Sequence, residues 1–521
     1  MDEAVGAVAA GHALSAEAGA EALRAGGNAV DAVIAACFAS FVCESPLTGP
    51  GGGGFLLVHD RGRQELLDFF VSVPERGPPS GPVPEADEVV LRFGGTTPVS
   101  YRISGATVAV PGMLAGLEAA HRRYGRLPWR ELLLPAVRLA RAGVVLTAEQ
   151  AYIHLVCDPI LRLDEQGRSV YGGERPLVEG ELVRFPQMAD SLELLAEQGA
   201  GSYYRGELAE LTLAYLAERG GLLSRADLAS YQPLVRRPLR TRYHDGLLLT
   251  NPPPATGGIL IAHTLSLLDR LRGRSDDPLA RAALLVECLR ASASLRGPEF
   301  ELALYRPGLE RRLLARARLE ADCETVLAAL AAGGRRATER SGSPSTTHVS
   351  ALDREGQAAA LSTSTGAATG MIVPGSGLSL NNLLGEADLL PQGEALRPGE
   401  RLTSMMSPSL LLRQGRPWLS LGSAGSTRLR SAIVQVIVNL VERHMDLPAA
   451  IAAPRLHPQA ELLHLEAGQD DLEAAFAARG EQLQRWPGID FYFGGVNAVA
   501  VAPDGFAAAG DPRRGGAGVV V

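Results

Sequence analysis

The stretch TTHVSALD at positions 346–353 begins a new kind of sequence in this chain. Before it, residues 335–345 are rich in Arg, Ser and Thr, a composition typical of a solvated connector. From Val349 to Asp353 apolar and polar residues alternate as in a strand, and Arg354-Glu355-Gly356 indicates a hairpin turn. Residues 357–361 then predict the returning strand. The stretch therefore opens a β-rich half of the chain.

A threonine at this boundary also suggests a chemical role. If the peptide bond between Ser345 and Thr346 is cut, Thr346 becomes N-terminal and carries both a hydroxyl and a free α-amine. The amine can take the hydroxyl proton, because its reference pKa is near 8. The same residues also fit an ordinary strand start, so this interpretation depends on the rest of the chain.

Bulk composition indicates a globular protein with a large core. The chain has 521 residues, 46% of them hydrophobic, and a formal net charge of −8. Its arginines are scattered, so no nucleic-acid partner is expected. No apolar run approaches the ~18 residues of a membrane span, and none is expected. The acidic start Met1-Asp2-Glu3 has no apolar region behind it, which predicts no signal peptide and a cytoplasmic location.

Cysteine and histidine spacing argues against disulfides and metal sites. The five cysteines are an odd number and are widely spaced, which predicts buried free thiols in a reducing compartment. The histidines form no H-x-x-x-H or H-E-x-x-H pattern, so neither a metal nor another cofactor is expected. The chain also lacks a G-x-S-x-G elbow, which counts against an α/β-hydrolase.

Helices dominate the first half of the chain. Residues 12–43 predict two helices separated by Gly26-Gly27-Asn28. The glycine run 49–54 indicates either a tight turn into a strand at 55–58 or a backbone anion site. A dense helical region is predicted from Val110 to about Leu330. Helices and strands that come in blocks favour an α+β fold over a doubly wound sheet.

The second half predicts further strands and one helix. The strands are expected at Leu378–Leu380, Ser409–Leu412 and Trp418–Leu421, the helix at Leu429–Arg443, and a hairpin at Val496–Gly505.

A series of short motifs runs through the chain in a fixed order. In the first half these are Gly26-Gly27-Asn28-Ala29-Val30-Asp31-Ala32, Gly51-Gly52-Gly53-Gly54-Phe55, Val110-Pro111-Gly112, Tyr124-Gly125-Arg126-Leu127-Pro128-Trp129, Tyr203-Tyr204-Arg205-Gly206, Pro252-Pro253-Pro254 and Gly257-Gly258. In the second half they are Thr346-Thr347-His348-Val349-Ser350, Leu380-Asn381-Asn382, Ser407-Pro408, Gly422-Ser423-Ala424-Gly425-Ser426, Ala453-Pro454-Arg455-Leu456-His457 and Gly510-Asp511-Pro512-Arg513. Together they resemble the γ-glutamyltransferase family of N-terminal-nucleophile hydrolases over nearly the whole chain.

The resemblance implies a fold, a maturation step and a reaction. The fold is α+β, a four-layer αββα sandwich. The precursor would cut itself before Thr346 and leave a large subunit (1–345) and a small subunit (346–521), which together form one αββα domain. Thr346 would then attack a side-chain amide of a small-molecule substrate and pass the resulting acyl group to water or to an amine.

The resemblance also assigns catalytic roles. Thr346 matches the nucleophile. Ser364 falls where the family has a second hydroxyl residue that polarises the nucleophile, and Thr363 or Thr365 are the alternatives. Gly425 and Ser426 match the loop whose backbone amides form the oxyanion hole, although the family usually has glycine at the position of Ser426.

Other matched positions concern substrate binding. Asn382 matches a residue that borders the pocket. Phe70 follows the motif Leu67-Asp68-Phe69, where relatives that act on glutathione have an arginine for the substrate carboxylate. Phenylalanine cannot make that bidentate contact. The family's paired serines at the same carboxylate appear as Ser404-Met405, so one hydroxyl is missing.

Further departures affect the amine end and the cover of the site. Leu383 replaces a polar residue, but Glu386 or Asp388 can still supply a carboxylate for an amine. The segment from Leu389 to Glu400 is short, so an open cleft without a lid is expected. Arg428 and Arg430 lie close in sequence to the oxyanion loop, and a solvated or structural role is preferred for both over a role in binding the carboxylate.

Two polar groups near these motifs are expected to be structural. His348 should point to the same face as Thr346 and make a structural hydrogen bond. Asp511 and Arg513 are expected to form a buried pair.

Three functional hypotheses follow. The first is a self-processing hydrolase or acyltransferase for a γ-glutamyl-like acyl group. The second keeps scaffold and nucleophile but redirects them to a non-glutamyl substrate, such as carbon–carbon bond hydrolysis in an alkylproline antibiotic pathway. The third is an uncut, inactive binding scaffold.

Overall fold

The computed structural model describes residues 4–75, 86–93, 97–274, 276–333, 346–367, 370–390 and 397–521. The predicted connector at 335–345, including Ser345, lies outside the described residues.

The strands, in chain order, are β1 (Gly6–Ala10), β2 (Gly53–Asp60), β3 (Arg63–Phe69), β4 (Asp87–Phe93), β5 (Thr97–Ile103), β6 (Val144–Val145), β7 (Leu182–Val183), β8 (Leu234–Arg236), β9 (Leu239–Tyr243), β10 (Gly246–Thr250), β11 (Thr347–Asp353), β12 (Ala358–Ser364), β13 (Ile372–Val373), β14 (Leu378–Ser379), β15 (Ser409–Arg413), β16 (Arg416–Ala424), β17 (Leu456–Gln459), β18 (Leu462–Leu465), β19 (Gln482–Arg485), β20 (Gly495–Ala502), β21 (Gly505–Ala509) and β22 (Ala517–Val520).

The α-helices, in chain order, are α1 (Ala13–Arg24), α2 (Ala29–Cys43), α3 (Met113–Tyr124), α4 (Trp129–Ala142), α5 (Ala148–Leu161), α6 (Glu165–Tyr171), α7 (Pro186–Gln198), α8 (Gly201–Arg205), α9 (Glu207–Ala217), α10 (Arg225–Ser230), α11 (Gly257–Leu271), α12 (Pro278–Ala293), α13 (Pro298–Ala303), α14 (Leu309–Leu313), α15 (Arg316–Ala331), α16 (Thr427–Val441), α17 (Leu447–Ala452) and α18 (Asp470–Ala478).

Two large sheets form the centre of the molecule. One has the strand order β22-β1-β11-β12-β2-β3-β8, and the other has the order β21-β20-β16-β15-β10-β9. Both sheets combine strands from before and after Thr346. Every pairing within them is antiparallel.

Alternation along the strands produces four layers, because successive side chains point to opposite faces of a sheet. Leu57 of the first sheet packs with Leu410 and Leu412 of the second, in the core between the sheets. The neighbouring residue Leu56 faces the other way, into the core that holds α1 and α2. Leu411 likewise faces the core that holds α11 and α16. This order of helices, sheet, sheet and helices confirms the predicted αββα sandwich.

The helix α2 is apolar on all sides because it is buried on all sides. It packs on β11 and β12 and also on α1 and α4. Asn28 caps it through a reciprocal capping box with Asp31. The Asp31 carboxylate also accepts hydrogen bonds from the amides of Arg126 and Leu127. The Asp31 carboxylate thus connects two motifs that are far apart in sequence.

The glycine run at 49–54 is a site of close backbone packing. A Cβ atom on Gly51 would stand 2.3 Å from the carbonyl oxygen of Ser379, and one on Gly52 would stand 2.3 Å from that of Ser364. The carbonyl oxygen of Gly52 also accepts hydrogen bonds from the amides of Gly112 and Met113. These contacts confirm the tight-turn interpretation of the run.

The predicted elements are mostly present, with one error. The expected helix at 429–443 is α16, shifted two residues toward the N-terminus, and the expected return strand at 357–361 is β12, which continues to Ser364. The helical region predicted from 110 to 330 is wrong between 234 and 250, where β8, β9 and β10 lie. Arg236, Arg237, Arg240 and Arg242 interrupt the apolar pattern there, although β9 and β10 form an edge hairpin of the second sheet.

The structure also confirms several expectations about buried groups. All five cysteines are buried free thiols. Asp511 and Arg513 form a buried ion pair at 3.1 Å, and Arg455 and Glu466 extend it into a network. In the described ranges no helix combines the length and apolarity that a bilayer crossing needs.

The packing of α3 on β3 gives a stability test. A Cβ atom on Gly116 would stand 1.9 Å from a ring atom of Phe69, whereas Gly201 of α8 has open space at that position. We expect Gly116→Ala to lower the free energy of unfolding by roughly 1–3 kcal/mol, because overpacking forces the ring to move. The matched control Gly201→Ala should be neutral or slightly stabilising. Urea denaturation measures both, and equal effects would contradict the inferred close contact.

Candidate active site

Thr346 stands at the point where the described chain enters β11. The antiparallel register pairs Thr347 with Thr363, which places Thr346 beside Ser364 at the end of β12. Thr346 and Ser364 line one small cavity of about 20 Å³. The full lining consists of Phe70, Thr346, Ser364, Leu383, Glu386, Asp388, Leu389, Ser404, Met405, Met406, Ser426 and Leu429. The cavity therefore joins most of the residues that the motifs singled out.

Strand alternation decides which hydroxyl accompanies Thr346. Ser364 shares the cavity with it. Thr363 faces the opposite side of the sheet, where its Oγ1 lies 2.9 Å from Oγ1 of Thr48. Thr365 is buried but does not line the cavity. The geometry thus favours Ser364 over both alternatives.

The loop between β16 and α16 forms one wall of the cavity. Gly425 has a φ of +116°, and a Cβ atom there would stand 2.9 Å from Cα of Gly494. Ser426 follows with a φ of +49° and ψ of −125°, and its side chain donates a hydrogen bond to Oδ2 of Asp388 at 2.9 Å. The amides of this loop lie at the N-terminus of a 15-residue helix, where partial positive charge favours an anion.

The remaining predicted site residues fall in two groups. Phe70, Glu386, Ser404 and Met405 line the cavity. Asn382 lies behind the wall, and its Oδ1 accepts a hydrogen bond from the amide of Ala367 at 3.1 Å. Gly425 contributes to the loop but is not part of the lining, and Ser345 is not among the described residues.

The cavity lining combines apolar side chains with two carboxyl groups. The ring of Phe70 stacks on Phe55 with centroids 5.4 Å apart, and its carbonyl accepts a hydrogen bond from the Tyr231 hydroxyl. Glu386 and Asp388 supply two carboxyl groups. Burial raises the pKa of Asp388, an effect that the positive charges of Arg296 and Arg428 partly oppose. Among its described lining residues the cavity has no arginine or histidine.

Arg428 and Arg430 do not take the place of the missing arginine. Both are fully buried and neither lines the cavity. The guanidinium of Arg428 lies 4.5 Å from the ring centroid of Tyr492, and Arg430 donates to the carbonyl oxygen of Leu289 at 2.9 Å. The solvated role considered from the sequence is wrong for both, and these contacts favour a structural one.

On the helix side of the sheet, behind Thr346, lies a carboxyl group that belongs to none of the sequence motifs. Glu44 follows α2 and accepts hydrogen bonds from the hydroxyls of Thr347 and Ser15. Arg514 lies close by and donates to the carbonyl oxygen of Thr346 at 3.4 Å. Burial raises the pKa of Glu44 to about 7, although these hydroxyls and the charge of Arg514 act in the opposite direction.

His348 is a structural residue, as expected. It is completely buried, with Nδ1 2.8 Å from the hydroxyl of Ser362 and Nε2 2.9 Å from that of Ser350. Burial lowers its pKa to about 3, so the ring is neutral at physiological pH.

Other cavities lack comparable chemistry. One of about 460 Å³ lies among the ends of α11, α12, α15 and α16, and another of about 590 Å³ is lined by residues such as Pro253 and Tyr305. Neither contains Thr346 or the loop at Gly425. Within the described part of the chain, no cluster of His, Cys, Asp and Glu side chains could hold a metal ion.

The chain is similar in fold to a known hydrolase. The crystal structure of cephalosporin acylase from Bacillus halodurans superimposes with a TM-score of 0.84, and the match covers 99% of this chain and 96% of that one at 23% sequence identity. The chain thus shares its αββα fold with that acylase.

Sequence comparison specifies the family. The family model described as Gamma-glutamyltranspeptidase matches residues 15–521. The "Acylase ACY 1 proenzyme" of Pseudomonas sp. (strain SE83) is 33% identical over 527 residues, 96% of this chain and 90% of that protein. The "Glutathione hydrolase proenzyme" of Pseudomonas aeruginosa is 28% identical and covers 99% and 94%. The chain belongs to the gamma-glutamyltranspeptidase family, and it is an enzyme of the hydrolase and acyltransferase type.

The pKa of Glu44 predicts how stability depends on pH. Its ordinary pKa is 4.5 and its folded value is about 7. Between these values the folded chain keeps a proton that the unfolded chain releases, so the free energy of unfolding falls as pH rises through this window. Glu44→Gln has no carboxyl proton to release, so it removes this fall in the free energy of unfolding. Its stability relative to the wild type should therefore increase from pH 4.5 to 7, by on the order of 3 kcal/mol, and then stay level.

Urea denaturation of both proteins at a series of pH values measures this difference. Glu17→Gln, at an exposed carboxylate, controls for the loss of one negative charge. A constant difference between Glu44→Gln and the wild type would mean that Glu44 is already ionised in the folded protein at pH 5.

Proposed function

We propose that this enzyme matures by cutting itself before Thr346 and then uses Thr346 as its nucleophile. The observation that carries the proposal is the position of Thr346 at the start of β11, in one cavity with Ser364 and Ser426. In the uncut chain the nitrogen of Thr346 belongs to a peptide bond. Only cleavage frees it to act as a base for its own hydroxyl.

Cleavage would give a large subunit, 1–345, and a small subunit, 346–521. The sheet order supports a lasting association of the two. In the first sheet β11 lies between β1 of the large subunit and β12 of the small one, and in the second sheet β15 pairs with β10 of the large subunit. Backbone ladders on both sheets would hold the subunits together without a covalent link.

The reaction proceeds in two stages. The hydroxyl oxygen of Thr346 attacks the acyl carbonyl of an amide while the α-amine accepts the hydroxyl proton. The amides of Gly425 and Ser426 stabilise the negative oxygen that develops, and Ser364 polarises the nucleophile. The carbon–nitrogen bond breaks as the leaving amine receives the proton, which gives an ester at Thr346. Water or a second amine then attacks the ester and regenerates the hydroxyl.

The cavity supports an acyl group without a carboxylate at the γ-glutamyl α-position. Phe70 and Met405 stand where relatives that act on glutathione would hold that carboxylate. Glu386 and Asp388 would repel it, and no described lining residue is a cation. The name of the acylase relative, at 33% identity, also supports an acyl group other than γ-glutamyl. Glu386 can bind an ammonium group if the acyl chain has one.

Size adds a second constraint on the substrate. The cavity of about 20 Å³ holds little more than one water molecule. Met405 and Met406 close it together with Leu389, and unbranched methionine side chains adapt readily to a bound group. Substrate entry would therefore displace these side chains.

The nucleophile is tested by substitution. Thr346→Ala should remain a single uncut chain and lose activity by about 10³-fold or more, because both the hydroxyl and the processing step are lost. Thr346→Ser keeps a hydroxyl and is expected to cut itself more slowly and retain part of the activity. Intact mass and N-terminal sequencing follow cleavage, and the shorter fragment should begin Thr-Thr-His. Active wild-type enzyme that is never cut would overturn the proposal, and a wild type both uncut and inactive would support the binding-scaffold hypothesis.

The acyl preference is tested with four p-nitroanilides that differ in two groups. γ-Glutamyl has both the α-amine and the carboxylate, glutaryl lacks the amine, 4-aminobutanoyl lacks the carboxylate, and butanoyl lacks both. We expect kcat/KM to be at least about tenfold higher for the two acyl groups without a carboxylate, because a carboxylate buried without a partner is costly. A higher value for γ-glutamyl would contradict this assignment. An α-keto acid substrate in the same series tests the carbon–carbon hydrolysis hypothesis.

A further inference from the structure

Ser426 has a backbone conformation that a serine rarely adopts. Its φ of +49° and ψ of −125° belong to a region that favours glycine. Gly425 before it has a φ of +116° and is pressed against Gly494. Two successive residues with positive φ therefore set the direction of the amides at the start of α16. Such strain persists only where surrounding contacts hold it in place.

The contact on Ser426 comes from Asp388. The serine hydroxyl donates to Oδ2 of Asp388 at 2.9 Å, and both side chains are buried, with exposures of 8% and 7%. A hydrogen bond to a carboxylate is stronger than one between neutral groups, particularly away from water. A glycine at position 426 would need no such support, since its backbone adopts positive φ freely.

Asp388 is itself held in position by its surroundings. It belongs to a short 3₁₀ turn at Ala387–Leu389, in which the amide of Leu389 donates to the carbonyl of Glu386 at 3.1 Å. Nη2 of Arg296 lies 3.5 Å from the carbonyl oxygen of Asp388, and Arg296 is 3.9 Å from Glu301. These contacts fix the backbone from which the Asp388 carboxylate reaches Ser426.

We propose that Asp388 is a positioning residue that holds the strained Ser426 so that the amide of Ser426 faces the reacting carbonyl oxygen. The inference rests on the proposed function, because it assumes acyl transfer at Thr346. Asp388 acts through the serine hydroxyl and does not need to touch the substrate. The serine at 426 then needs the hydrogen bond to Asp388, and Asp388 has this role only because residue 426 is a serine.

A different role for Asp388 makes different predictions. Because Asp388 lines the cavity, it could instead bind an ammonium group of the substrate. In that role its negative charge would matter, its loss would raise KM, and the effect would be confined to acyl groups with an amine. As a positioning residue it needs only a hydrogen-bond acceptor, its loss lowers kcat, and the effect is the same for all acyl groups.

The test is a cycle of variants at the two positions. Asp388→Ala removes the acceptor and should lower kcat by about 30- to 100-fold with KM nearly unchanged, since a misplaced oxyanion donor costs this much. Asp388→Asn keeps an oxygen in the same place and should lose less than about fivefold. In the Ser426→Gly background the effect of Asp388→Ala should shrink by at least tenfold. The matched control Glu386→Gln, at a neighbouring carboxyl group of the same cavity, should show no such coupling.

Rates are measured with butanoyl and 4-aminobutanoyl p-nitroanilide and divided by the fraction of cut chain from intact mass. If a variant cuts itself too slowly for its activity to be measured, the same comparison of variants is made with the rate of self-cleavage. The idea is overturned if Asp388→Ala costs the same in both backgrounds, or if Asp388→Asn is as damaging as Asp388→Ala. Thermal melting of each variant identifies loss by unfolding, which would also count against a positioning role. Activity in Thr346→Ala would instead refute the nucleophile and leave the coupling between Asp388 and Ser426 to be judged separately.

Discussion

The antiparallel pairing of β11 with β12 determines how the site is built. Its register places Thr346 beside Ser364, and strand alternation turns both side chains toward the second sheet. The second sheet supplies the loop at Gly425 because β16 ends directly opposite. A shift of the register by one residue would turn Thr346 toward α2 and separate it from Ser364. The arrangement of Thr346, Ser364 and the loop at Gly425 is therefore a property of sheet pairing, and the side chains alone do not create it.

The two faces of β11 serve different purposes. On the face toward the second sheet, Thr346 borders a cavity that is also lined by two carboxyl groups and Phe70. On the face toward the helices, Thr347 is bonded to Glu44, whose burial costs stability at neutral pH. The same carboxyl group holds Thr347 at the start of β11, next to Thr346. The two faces of one strand thus carry the cavity and the buried contact with Glu44.

In the proposed reaction, substrate choice depends on a few side chains around the cavity. The fold matches that of the acylase over 99% of this chain, while Phe70, Leu383 and Met405 give the cavity apolar lining. Ser426 and Asp388 form another local departure, in which a strained serine is stabilised by a buried carboxylate. Changes of this kind alter which acyl group is held and leave the transfer chemistry in place.

The ordered motifs indicated the family, and the resemblance implied the sandwich fold and Thr346 and Ser364 as candidates, because motifs are local patterns that can be matched residue by residue. The sequence also predicted the buried thiols and the pair of Asp511 and Arg513. The packing of sheets and helices was needed to show that Ser364 and not Thr363 faces Thr346, that Arg428 and Arg430 lie away from the cavity, and that Glu44 and Asp388 contact Thr347 and Ser426. Glu44 is about 300 residues from Thr347, and the bond between them exists because α2 packs across β11. Contacts between distant segments depend on how layers stack, and no local pattern in the chain records that stacking.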